Sequence, residues 1–216
     1  FNNDTDKDTF LPSSLVTTNY TSNSSVCTVN TITNCVSSSP SQNKALYPVV
    51  NLFGDIEVTK GTGSENNPYR LEGDSDENLT GTLLNTRYSG EYVNFGVGTN
   101  STYRLVYNGT DGSATKIVSA DNLRNPTDGS DIEMFYGSTY IYTSSDLYTF
   151  LNNDFLNPDN GYLSSADVNM ITSGSWNSTT IEIGDGGNYT TSFTGGRWSN
   201  SNQIGIPMLG ELGTFG

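Results

Sequence analysis

The chain has 216 residues, enough for one large domain or a domain with an arm. Against 23 Asp and Glu stand 9 Lys and Arg, with no His and a net charge of -14, so a phosphate backbone is repelled and nucleic-acid binding is excluded; an anionic membrane surface is disfavoured for the same reason. Only 33% of residues are hydrophobic, yet 13 are Tyr and 23 are Gly, and Asn, Ser and Thr abound, which argues against long helices and for strands joined by turns.

Residues 1–50 differ from the rest. "SSLVTTNYTSNSSVCTVNTITNCVSSSPSQN" is dominated by small polar residues and ends in a Ser-rich, Pro-containing linker. It reads as an extended N-terminal arm, with β-prone runs "SLVTT" and "CTVNTIT" but too little apolar surface to fold alone. Leu11, Leu15, Val16, Val26, Val29 and Ile32 are its candidate anchors. They are expected to pair with a sheet edge, on the chain's own head or in a neighbouring subunit. Cys27 and Cys35 are the only cysteines. Their spacing is not C-x-x-C, and without His a zinc site of the usual kind is excluded, so a local disulfide is expected. Phe1 is followed at once by "NNDTDKD", which reads as a mature or trimmed chain without a signal peptide. No run of roughly 18 apolar residues is present, so direct membrane insertion is not expected.

Residues 51–216 read as a β-rich globular head. "DIEVTK" alternates, with Ile56 and Val58 on one face. "KGTGSENNPYRLEGD" follows, and its residues fit a turn between strands: Gly61 and Gly63 permit conformations closed to other residues, and Asn67 before Pro68 favours extended backbone. "PYRLEG" is then the next short strand. "TYRLVY" puts Tyr103, Leu105 and Tyr107 on one face, and a hairpin-type turn leads to "ATKIVS". "DIEMFY", "STYIYT", "TTIEIG" and "NYTTSF" are further strand candidates. Two short helices are expected. "SSDLYTFLNNDFLN" offers Ser144 or Ser145 as N-cap, and "SSADVNMI" repeats the Ser-Ser-x-Asp start. The fold expected is mainly β, a β-rich α+β protein with antiparallel sheets.

No catalytic motif is complete. Without His the common nucleophilic triads are absent, and no S-x-x-K occurs, so an enzyme is not expected. No cofactor is expected either. Calcium is the one metal suggested, by acidic turns at Asp74, Asp76, Glu77, Asp128 and Asp131. Asn78, Asn100, Asn108, Asn177 and Asn188 lie in N-x-S/T sequons and are glycosylation candidates, though composition alone accounts for nearly all the sequons. Trp176 and Trp198, in Gly/Ser/Asn-rich surroundings, are candidates for stacking on a sugar. Lys116 is a candidate for a covalent link to an asparagine side chain; an exposed strand lysine is the plainer reading.

Several of these stretches also resemble Gram-positive surface and pilin-like proteins: "GTGSENNPYRLEGD", "YSGEYVNFGVGTNSTYRLVYNGTDGSATKIVSAD", "DLYTFLNNDFLN" and "IGIPMLGELGTFG". Tyr103 precedes Arg104 where such proteins often have Trp. The resemblance implies an extracellular, cell-surface role as the head of a filament subunit. Its partners would be copies of itself or other surface subunits. A carbohydrate-binding adhesin, with glycans as partner, is the alternative.

Overall fold

A computed structural model describes residues 15–18, 26–31, 34–38, 44–71, 82–108, 114–134, 144–177, 198–202 and 204–206. The protein is mainly β, with a few short helices. Near the N-terminus, β1 (Leu15–Thr18), β2 (Val26–Thr31) and β3 (Asn34–Ser38) form an antiparallel sheet in the order β1-β2-β3. The arm's β-prone runs therefore bond first to each other. Leu11 and Ile32 lie outside the described residues.

β4 (Lys44–Ala45) begins the packed body, and β5 (Val49–Phe53) lies deep within it. Leu46, Val49 and Val50 are buried, so the body starts several residues before Asn51. β6 (Glu57–Lys60), β7 (Tyr69–Leu71), β8 (Thr82–Leu83), β9 (Tyr92–Asn94), β10 (Thr102–Asn108) and β11 (Ala114–Ser119) follow. β12 (Glu133–Met134) pairs with β4, and β13 (Gly174–Asn177) pairs with β14 (Trp198–Asn202). β15 (Ile204–Gly205) returns to β5.

The large sheet has the order β15-β5-β11-β10-β9-β7-β6-β8. It is mixed rather than wholly antiparallel, because β7 runs parallel to β9, with Tyr69 opposite Val93 and Arg70 opposite Asn94. A two-residue hairpin cannot make such a pair; a longer connection is needed, and here it includes β8, at the far edge of the same sheet beside β6.

One face of the sheet carries the core. Val50, Leu52, Ile117, Leu105, Tyr103, Val93 and Ile204 lie on it. Against them pack Leu147, Leu151, Phe155 and Leu163. A register shift between Leu105 and Tyr107 inserts a bulge in β10, and Leu105 and Val106 are both buried.

The helices form where their caps predict. Ser145 is the N-cap of α1 (Asp146–Thr149) and accepts from the Tyr148 amide. Over Phe150–Asp154 the helix widens, and the Phe155 amide donates to the Phe150 carbonyl. That extra residue keeps Leu147, Leu151 and Phe155 all buried. Ser164 caps α2 (Ser165–Asn169) in a full capping box with Asp167. Among the described residues no helix is long and apolar enough to cross a membrane.

Candidate functional site

The most patterned stretch, Lys60 to Leu71, is the turn that joins β6 to β7. The Thr62 amide donates to the Asn67 carbonyl and the Asn67 amide to the Ser64 carbonyl, which closes the loop on itself. Gly61 (φ 94) and Gly63 (φ 75) hold left-handed conformations. A Cβ on Gly61 would lie 2.1 Å from the Pro68 carbonyl oxygen, so no other residue fits there.

Beside this turn lies a compact polar cluster. The Glu91 carboxylate accepts four hydrogen bonds: from the Tyr69 hydroxyl at 3.1 Å, from Arg87 Nε and Nη2 at 3.3 Å each, and from the Tyr88 amide at 2.8 Å. The Arg87 guanidinium is 5.0 Å from the centre of the Tyr69 ring and 5.5 Å from that of Tyr88. The hydrogen bond to Glu91 raises the Arg87 pKa further, so the cation is fixed. Burial, and then the Glu91 charge, raise the Tyr69 hydroxyl above its usual range. Acceptor, cation and rings are thus committed to one another. Only Tyr88 reaches out, 71% exposed, with Arg87 against its ring. The cluster is built to clamp the β6–β7 turn onto β9, where the Tyr92 amide donates to the Gly63 carbonyl at 2.8 Å.

The two described calcium candidates, Asp128 and Asp131, are each engaged locally. Asp128 Oδ1 accepts from the Ser130 hydroxyl and amide; these bonds, the hydroxyl's first, lower its pKa. Asp131 pairs with Arg124 at 3.6 Å. Among the described residues no group of three acidic side chains converges as a metal site. Asp74, Asp76 and Glu77 lie outside the described residues, as do Asn78 and Asn188.

Asn100, a glycosylation candidate by its sequon, is engaged inside the fold. Its side chain is only 4% exposed, donates to the Arg124 carbonyl and accepts from the Arg124 amide, both at 2.8 Å. A glycan needs the same amide nitrogen and open space around it. Asn108 and Asn177 are the last residues of β10 and β13.

Trp176 and Trp198 stand on adjacent strands, but one step out of register: Trp176 is opposite Ser199 and Trp198 is opposite Asn177. Cys27 is opposite Ser37 and Cys35 is opposite Val29, which places the two cysteines diagonally across β2 and β3.

Lys116 is the residue most misjudged by its sequence context. It is 3% exposed and stands directly opposite Asn51, itself 1% exposed, across β11 and β5. The plainer reading of the sequence, an exposed strand lysine, does not hold, because the tertiary fold covers it.

No protein family matches the chain, nor does any curated protein or solved structure.

Proposed function

We propose that this is an extracellular structural protein, a surface or filament subunit that acts through contacts with copies of itself or with other surface subunits. The observation that supports this reading best is the separateness of the N-terminal sheet. β1, β2 and β3 bond to one another and to no strand of the eight-stranded sheet. Among the described strands none pairs with the outer edge of β3. Such an edge offers a row of N–H and C=O groups to a strand from another copy, with main-chain hydrogen bonds supplying the affinity. The large sheet offers much less, since its edges are the two-residue strands β8 and β15. Removing the chain through Pro40 tests the reading by sizing and electron microscopy. The full chain assembles and the truncated one remains monomeric and folded; equal assembly of both, or none by the full chain, overturns it.

A disulfide between Cys27 and Cys35 fits the same reading, since it would close the β2–β3 hairpin. Diagonal neighbours lie about 7–8 Å apart between Cα atoms, just beyond the usual range of about 4.4–6.8 Å for a bridge, so the hairpin must twist slightly to make it. Mass spectrometry after alkylation without reductant decides it, and two labelled thiols in native protein exclude the bridge.

Carbohydrate binding is the second reading, and Tyr88 is the observation in its favour. One exposed aromatic ring backed by a guanidinium is a stacking surface. Tyr88→Ala should abolish any glycan-array signal; an unchanged signal removes Tyr88 from this role.

A further inference from the structure

β3 carries none of the devices that keep an edge strand from pairing. Edges are usually blunted by charge, by proline, by a bulge or by extreme shortness. Residues 9–43 contain no Asp, Glu, Lys or Arg, so the strand Asn34–Ser38 and its flanks are uncharged. Pro40 stands beyond its end. The register shift between β2 and β3 falls between Val29 and Thr31 of β2, so the extra residue belongs to β2 and not to β3. With 5 residues β3 has an ordinary strand length, unlike β8 and β15 with 2 each.

Charge selects how two copies can meet. The whole net charge of -14 lies outside residues 9–43, so bodies brought side by side repel. Of the arm's strands, β1 is the one that lies beside β4, where the body begins, and β3 is two strands further out. Any pairing that uses β1 brings a second copy up to the body. Pairing β3 with β3 instead makes a six-stranded sheet with the two β1 strands at its outer sides. Neighbouring strands lie about 4.8 Å apart, which sets those β1 strands about 24 Å apart, well beyond the screening length of about 8 Å at physiological salt. Copies that meet through β3 therefore repel each other little.

We propose that the chain forms a two-fold dimer in which β3 pairs antiparallel with β3 of a second copy. This rests on the assembly reading above and adds the partner strand and the symmetry. The strand pairs over its full length when Asn34 of one copy meets Ser38 of the other and Val36 meets Val36 on the axis. A two-fold contact uses the same edge on both copies and leaves no such edge over. The arm thus joins copies in pairs, and a longer filament takes a second contact from the body.

Sedimentation of the full chain over a range of concentrations is expected to show monomer and dimer, with nothing larger that depends on the arm. Val36→Lys sets two like charges opposite each other on the axis and should weaken the dimer roughly tenfold or more, and Val36→Glu should do the same. An equimolar mixture of the two variants is expected to recover the dimer, because only a contact of position 36 with itself brings the opposite charges face to face. Recovery also shows that both variants fold. If they do not fold, the species formed by the unaltered chain decide alone. An open series of trimers and larger species that is lost with the arm, or a mixture of folded variants that stays monomeric, overturns the β3 dimer and leaves the assembly reading standing. Assembly unchanged by removal of the chain through Pro40 overturns both.

Discussion

Gly63 lies against the ring of Tyr69, so close that a Cβ on Gly63 would stand 2.5 Å from the ring carbon Cε2. The same ring holds its hydroxyl on Glu91 and has Arg87 against it. The glycine is thus fixed twice, by a left-handed φ and by the aromatic above it.

Gly63→Ala is expected to lower stability by about 2–4 kcal/mol, combining left-handed strain with overpacking against the ring. Gly98→Ala is the control. It shares a positive φ of 60 but has nothing within 4 Å of a Cβ, so only the strain remains, about 1 kcal/mol. Urea unfolding of the two variants measures the difference; equal losses would show that the Tyr69 contact is immaterial.

Tyr103 is wholly buried in the core, edge-on to Phe95, and among the described residues its hydroxyl has no hydrogen-bond partner. Tyr103→Phe should therefore leave the fold intact at neutral pH and raise stability by about 1 kcal/mol. A loss above that size would mean that the hydroxyl is satisfied in solution.

Alkaline pH should weaken the fold through the same residue. Burial, and then the charge of Asp167, push the Tyr103 pKa well above its usual value of 10.0. A group whose folded pKa is raised gives its full stabilisation below the unfolded pKa and loses it as pH climbs. Above pH about 10 the unfolded chain releases this proton and the folded chain does not, so stability falls by about 1.4 kcal/mol per pH unit. Tyr47, Tyr69 and Tyr162 are shifted in the same direction, chiefly by burial, and add to the trend. Thermal melting from pH 8 to 11 should show a slope that Tyr103→Phe makes shallower. An unchanged slope would place the titration elsewhere.

Asn100→Ala removes both hydrogen bonds to the Arg124 backbone and leaves a buried N–H and C=O without them, at a cost of about 2–3 kcal/mol. Expression in a glycosylating host should leave Asn100 bare. A glycopeptide containing it would show that this loop opens before modification.

Ser164→Ala deletes one half of a reciprocal cap and should cost about 1 kcal/mol; retaining full stability would show that Asp167 alone caps α2.

Local chemistry was what the sequence made readable. Ser145 and Ser164 marked the helix starts, Gly61 and Gly63 the turn, the alternation of "DIEVTK" one strand of the large sheet and the hairpin-type turn before "ATKIVS" another. Features set by distant chain segments were not readable. "VVNLF" is buried at four of its five positions because the core covers one face and the start of β13 rests on Asn51 on the other, so it carries no alternation. Lys116 and Asn100 looked like ordinary polar strand and loop residues, since nothing nearby in sequence says that Gly174 or Arg124 will close over that part of the fold. The strands expected over 138–143, 179–184 and 188–193 lie outside the described residues.

The chain joins the large sheet at Val49 and leaves it at Gly205, and these two residues stand opposite each other across β5 and β15. A filament under tension would pull on them from the same end of that pair. Hydrogen bonds loaded in this way open one after another, like a zip, instead of resisting together, so the β15 contact is a weak mechanical link.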